Sequence, residues 1–402
     1  MAAGEWRPLG IGVCAPYDLG RDGGVNSHIR AQARALRQLG HTVTVFGASS
    51  APLSDGELAL STSISMVIGG TETGIGVDPR SWWRVARLFQ TSRFDILHVH
   101  EPLMPLLPWF ALRQSTAPVV ATFHTYREQG HRWYRRYRRL LAPLMRRIHA
   151  RLAVSEAARR TVTHDFPGDY EVVPNGIDVG RFRQATTRPP SASGSPRVVL
   201  FVGRLEPRKG VDRLIRAMTI VQAQAADARL VIVGDGPDRA ALESLARDAC
   251  IDATFTGRVP EEALPDFYHA ADLVCSPALG DESFGIVLLE AMASARPIVA
   301  TRIDGYAELL SRADCARLVE VDDTTALARE LTTLLDAPRL RSVLGERGRM
   351  FVRNYDWAAI SRHLESIYLS LANTATSGRN EYGSRGLNAS EASDRFDRPF
   401  TR

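Results

Sequence analysis

One lysine stands among the 50 basic residues of this chain. It is Lys209, and the other 49 (50 less one) are arginines. Lys209 lies in GRLEPRKG (203–210), five residues after Arg204, in a proline-containing turn that follows the apolar run RVVLFV. An arginine fork and a mobile ammonium across one turn suit a diphosphate. A solvated surface pair is the plainer reading, and the solitary lysine weighs against it. Further on, GDESFGIVLLEAMA (280–293) places Glu282 at a helix mouth, behind a possible Ser283 N-cap, and Glu290 two turns into an apolar run. A carboxylate accepts from two sugar hydroxyls at once. The helix dipole alone would also favour Glu282, but a charge in IVLLEAMA needs a partner. His124 ends the apolar run PVVATF, as His98 and His100 end another. Their spacing matches no standard zinc set, and no Asp-x-Asp is present for a divalent ion, so no metal is expected. Gly23 and Gly24 would let backbone approach a phosphate, or form a plain flexible turn. Gly234 in VGDGPD is a weaker sign of the same kind.

These residues need strands and helices to hold them. Val- and Ile-rich runs at Gly10–Ala15, Thr42–Phe46, Ile64–Ile68, Phe94–Val99, Pro118–Phe123, Arg151–Val154 and Tyr170–Val173 read as buried parallel strands. Amphipathic helical patterns alternate with them. The rhythm breaks at 185–196, a Pro/Ser-rich linker, and restarts with Arg197–Val202, Ala228–Val233, Ala253–Phe255, Asp272–Ser276, Pro297–Ala300 and Leu318–Val321. The expectation is two doubly wound α/β domains, 1–184 and 197–353, facing a cleft, with a helix at 354–372 and a disordered tail at 373–402. In such sheets ligands gather at the carboxyl ends of strands, where His124, Arg204 and Glu282 fall.

Composition narrows the function. Hydrophobic residues at 45% and charged residues at 24% exclude a disordered chain or a coiled-coil rod. No G-x-G-x-x-G with a following acid is present, which argues against a dehydrogenase. Cys14, Cys250, Cys275 and Cys315 form no C-x-x-C and read as buried thiols of a reducing compartment. The longest apolar stretch, near 102–112, is too short to span a bilayer. A cytoplasmic protein, peripheral on the inner face of the cell membrane, is expected.

Net charge is +5, but residues 127–151 hold nine arginines and one glutamate, a local +8 that leaves −3 for the rest. Trp133, Tyr137, Leu140, Leu144 and Ile148 recur there at helical spacing, with Pro143 expected to kink the helix. Trp133, Arg135, Arg136, Tyr137 and Arg139 are candidate contacts to an anionic membrane; RSWWRVARLFQTSR (80–93) is a second candidate. A core-packed helix with solvated arginines is the competing reading. Nothing accompanies the charge to suggest nucleic acid.

Together Gly23-Gly24-Val25, HVHEP (98–102), TFHTY (122–126), VPNGID (173–178), GRLEPRKG, GDESFGIVLLEAMA and YDW (355–357) resemble family 4 glycosyltransferases of the GT-B fold. The likeness is greatest to the phosphatidyl-myo-inositol mannosyltransferases. It implies two Rossmann-like domains, the acceptor mainly on the first and the nucleotide sugar on the second, with the last helix crossing back to the first. It implies His124, Glu282, Arg204 and Lys209 as catalytic residues. Gly23, Gly24, Gly234, Ser283, Phe284, Gly285 and Glu290 would join Arg204, Lys209 and Glu282 at the nucleotide sugar. Tyr17, Asn26, Thr125 and Arg127 would lie on the acceptor side. The implied reaction is hexosyl transfer with retention, without metal or tightly bound cofactor, from GDP-mannose or a UDP-hexose to a lipid or polyol such as phosphatidylinositol. A soluble family 4 enzyme with a UDP-sugar and a small acceptor, and a GT-B sugar-nucleotide epimerase, stay open.

Overall fold

The computed structural model describes residues 7–21, 23–68, 71–128, 130–184, 196–225 and 227–377. They form two units. One holds the residues up to Pro174 and those from Ile360 on; the other is Asn175–Ala359. The second therefore begins earlier than the expected 197, because Ile177 and Phe182 bury their side chains in its core. Of the expected linker, residues 185–195 lie outside the described residues.

The first unit carries β1 (Gly10–Asp18), β2 (Thr42–Ala48), β3 (Glu57–Ser61), β4 (Ser63–Ile68), β5 (Thr71–Gly76), β6 (Ile96–His100), β7 (Val119–Phe123), β8 (Ala150–Ala153) and β9 (Glu171–Val172). The main path is β3-β2-β1-β6-β7-β8-β9. Its pairs are parallel, and β6 and β7 are buried throughout, as strands covered on both faces should be. Val13 pairs with Val45 on one side and His98 on the other, which puts the order reversal between β1 and β6. The run at Ile64–Ile68 does not join that path. As β4 it pairs antiparallel with β5, and the hairpin meets β1 through Tyr17 and Ile75.

The second unit carries β10 (Arg197–Val202), β11 (Ala228–Val233), β12 (Ala253–Gly257), β13 (Leu273–Ser276), β14 (Ile298–Thr301) and β15 (Ala316–Val319). The order β12-β11-β10-β13-β14-β15 is the doubly wound order, reversing between β10 and β13. Alternation builds two cores on the two faces. Val199 and Phe201 enter one; Leu200 and Val202 face the other.

The last helix runs Trp357–Ser377, past the expected end at 372; residues 378–402 lie outside the described residues. Its Tyr368, fully buried, accepts a hydrogen bond from Gln32 at 3.0 Å and lies 2.5 Å from His98 Nδ1. Glu365 reaches His41 at 3.1 Å. The helix thus closes the first unit. Among the described residues no helix is long and apolar enough to cross a membrane. Cys14, Cys275 and Cys315 are buried, with thiols pushed up by burial, but Cys250 is exposed, contrary to expectation.

Candidate active site

In the second unit β10 runs into Gly203, Arg204 and a 3-10 turn, Pro207–Lys209. Glu206, 2% exposed, lies inside this turn. Its carboxylate is 2.8 Å from Arg204 Nε and 3.1 Å from Arg208 Nε. Arg208 also bonds Glu282, and Lys209 Nζ is 2.7 Å from the same Glu282 oxygen. Leu279 N–H donates to Arg208 O at 2.8 Å and ties the two loops together. The turn therefore alternates charge: Arg204, Glu206, Arg208, Glu282, Lys209. Three cations over two carboxylates leave a net +1 beyond the strand ends where the sheet order reverses, a setting suited to a diphosphate.

Glu290 is held differently. Its Oε2 accepts from Tyr268 OH at 2.6 Å. Burial raises its pKa, and the tyrosine bond works against that rise. Tyr268, from the helix Leu264–Ala270, thus supplies the partner that a charge in the apolar run was expected to need.

Three expected site residues are placed otherwise. Ser283 is not the N-cap: the helix is Ile286–Ala293 and its cap is Gly285, at φ +83°. A Cβ on Gly285 would come within 2.5 Å of the Tyr306 ring, so packing and backbone both demand glycine. Phe284 is 6% exposed and belongs to the core, so only its main chain is free to meet a ligand. Gly234, at φ +131°, passes so close to Gly203 O that a Cβ would lie 2.0 Å away; strand packing accounts for it.

In the first unit β1, β6 and β7 bring a second set together. Burial holds His98 down to about 3, and His100 and His124 lie well below the usual imidazole range for the same reason. All three are neutral. His100 Nδ1 is 2.9 Å from His124 Nε2. His28, from the first helix, meets both rings edge-on. Each of His28, His100 and His124 offers a ring nitrogen, all within 4.8 Å of one another. That set of three ring nitrogens could hold a transition metal, which the spacing of His98, His100 and His124 did not suggest. In this structure facing nitrogens of His100 and His124 already bond each other.

Beside His124, Thr125 N–H and Oγ donate to Glu101 at 2.7 and 2.8 Å, and the pKa of Tyr17, whose hydroxyl bonds Thr125, is raised by burial and, less, by the Glu101 charge. Tyr17 and Thr125 are thus neighbours. Asn26 is not free for an acceptor: its Nδ2 donates to Asp18 O and Arg21 O at 2.7 and 2.9 Å and braces the loop before the first helix. Arg127 exchanges backbone hydrogen bonds with Thr161 Oγ. A Cβ at Gly23 or Gly24 would meet nothing within 4 Å.

The arginine-rich segment breaks at Tyr137, not at Pro143, into helices Arg132–Arg136 and Arg138–Met145. The break rotates the expected stripe. Tyr134, Leu141, Leu144, Met145 and Ile148 are buried, Trp133 is half-buried, and Tyr137 and Leu140 are exposed with Arg135, Arg136 and Arg139. On the helix Ser81–Thr91, Trp82 packs on Phe110 while Trp83 is 73% exposed.

A family model described as Glycosyltransferase Family 4 matches residues 22–181, and one described as Glycosyl transferases group 1 matches 183–351. A phosphatidyl-myo-inositol mannosyltransferase of Mycolicibacterium smegmatis is 35% identical over 364 residues, covering 89% of this chain and 93% of the relative. The chain belongs to glycosyltransferase family 4. Another relative of this glycosyltransferase, D-inositol 3-phosphate glycosyltransferase of Corynebacterium kroppenstedtii, is 30% identical and covers 87% of this chain and 86% of its own. Sucrose-phosphate synthase from Thermosynechococcus elongatus superposes with a TM-score of 0.71 at 20% identity, over 91% of this chain and all (100%) of its own. Anabaena HepE in complex with UDP-glucose gives 0.72 at 18%, covering 90% and 100%. These neighbours share the GT-B fold.

The motifs HVHEP and GRLEPRKG contain Glu101, Glu206 and Arg208 without pointing to their roles, and Tyr268 and His28 lie outside every motif. Glu206 and Arg208 lie inside GRLEPRKG, where an acid flanked by arginines could have marked a buried ion cluster.

Proposed function

We propose that this glycosyltransferase moves mannose from GDP-mannose, with retention, to an inositol phospholipid at an anionic membrane surface. The observation that carries it is the cluster at the end of β10, where Lys209, read as a diphosphate contact, and Arg208 both bond Glu282, read as the sugar-facing carboxylate. The names of the relatives supply the sugar and the acceptor class. The exposed arginines of 132–140, with Tyr137 and Leu140 exposed among them, support a membrane face.

In this reading Arg204 and Lys209 hold the diphosphate and stabilise the charge it gains as the glycosidic bond breaks. The departing phosphate oxygen takes the acceptor hydroxyl proton, so no dedicated base is required. Glu282 orients the sugar. Glu290 accepts from the ribose hydroxyls. His124, neutral through burial, contributes a hydrogen bond to the sugar rather than a charge.

A panel of GDP-, UDP- and ADP-sugars with phosphatidylinositol vesicles or with free inositol phosphate tests it. Mannolipid from GDP-mannose is the expected product. Transfer only to inositol phosphate, or only from a UDP-sugar, would favour the soluble alternative, which the second relative's name supports.

A further inference from the structure

Glu101 follows β6, and its backbone is left-handed, with φ +42°. A glutamate keeps such a conformation only where its surroundings fix it. Its side chain shows what does. The residue is 1% exposed. Oε1 accepts from His124 N–H at 2.7 Å, Thr125 N–H at 2.7 Å and Thr125 Oγ at 2.8 Å. Oε2 accepts from Tyr134 OH at 3.2 Å. One carboxylate therefore joins the end of β7 to the helix Arg132–Arg136.

Tyr134 is the one buried side chain of that helix, stacked on the His131 ring at 4.5 Å. Arg132, Arg135 and Arg136 around it are exposed. A force on the exposed basic face reaches the interior through Tyr134. From its hydroxyl the path is two hydrogen bonds long: to Glu101, then to the His124 backbone.

We propose that Glu101 is a positioning residue: it sets the strand end that carries His124 and Thr125, and through Tyr134 it makes that setting respond to what binds the arginine-rich helix. This rests on reading His124 as a sugar contact and the helix as a membrane face. Glu101 itself need touch no substrate.

Glu101→Ala removes all four bonds. Glu101→Gln keeps an acceptor oxygen for the two backbone donors and an amide for Tyr134. Tyr134→Phe cuts the link alone. Glu101→Ala should lower kcat roughly tenfold to a hundredfold with donor KM little changed, and Glu101→Gln should restore most of it. Tyr134→Phe should keep turnover on detergent-dispersed acceptor but lose the stimulation given by phosphatidylglycerol-containing vesicles. Hydrogen exchange of the His124 and Thr125 amides gives a readout free of turnover. Exchange should be faster in Glu101→Ala, and vesicles should alter it in wild type but not in Tyr134→Phe.

Unchanged exchange in Glu101→Ala overturns the positioning role. An equal vesicle response in wild type and Tyr134→Phe, or none in wild type, overturns the coupling. Exchange that behaves as expected in a protein that transfers no sugar to lipid leaves the positioning standing and sinks the proposed function instead. Should Glu101→Ala fail to fold, Tyr134→Phe and Glu101→Gln carry the test.

Discussion

Glu282 bonds both Lys209 and Arg208, so a diphosphate placed on these cations would have to compete with it. That sets the sign of a prediction. Glu282→Gln should cut kcat by about a hundredfold while nucleoside diphosphate affinity stays level or rises severalfold, because two cations lose their internal anion. Calorimetry with GDP and UDP beside steady-state rates checks it; a parallel loss of affinity and rate would contradict it. Lys209→Ala and Arg204→Ala should each weaken nucleoside diphosphate binding by about ten- to a hundredfold, in line with charge-assisted bonds of roughly 1.5–3 kcal/mol. Unchanged affinity in both would remove the diphosphate assignment. The charged turn after β10 was legible in the sequence through its one lysine. Its distant counter-charge Glu282 was not, because nothing linear connects Glu282 with a turn 74 residues earlier.

Elements were legible where the pattern is strong. The six strands of the second unit came through because their β-branched and apolar residues form short runs bounded by glycine, proline or acid, the four inner ones buried most fully. β3 was missed: an edge strand with Leu58 exposed has no continuous apolar run. β5, TETGIG, was missed because its polar, glycine-rich sequence shows no strand pattern. The segment 132–145 was misread in phase, since Tyr137 at φ −110° and ψ 20° ends one helix and starts the next. With that break the arginines still face outward, and a test belongs to this element. Replacing Arg132, Arg135, Arg136 and Arg139 by glutamate should abolish binding to anionic vesicles at low salt and leave thermal stability nearly unchanged, because all four are exposed. Vesicle flotation and a melting curve check both halves. The return helix offers another. Tyr368→Phe strips a hydroxyl shared with His98 and Gln32, both buried, and should cost about 1–3 kcal/mol. A denaturant titration measures it.

Across the whole molecule, buried imidazoles fix the direction of pH dependence. His98 titrates near 3 when folded, and His100 and His124 are also held low. Unfolded, each titrates near 6.5. Between those values the unfolded chain binds protons that the folded chain does not. Stability is therefore full above about pH 6.5 and falls with acidification, by up to about 1.4 kcal/mol per pH unit for each imidazole. Glu101 and Glu290, raised by burial, act in the opposite sense, since the folded state takes up their protons first. Melting temperature should fall between about pH 7 and pH 5, and His98→Gln should flatten the slope. A melting temperature flat across that range would show that these rings are protonated in place.

The chain leaves the first unit after Pro174 and re-enters it at Ile360, and the two crossings lie side by side. Ile177 bridges Asp356, its N–H donates to Tyr355 O at 2.8 Å, and Trp357 N–H donates to Ile177 O at 3.0 Å. The second unit is thus an insertion whose two ends meet. Such a segment is suited to excision: 175–359 has the makings of a free-standing domain, and its adjoining ends would accept a short linker in a circular permutant. The first unit has no such freedom. Any truncation before Tyr368 removes the hydroxyl that His98 and Gln32 share, so the half that carries the histidines cannot be made by stopping the chain early.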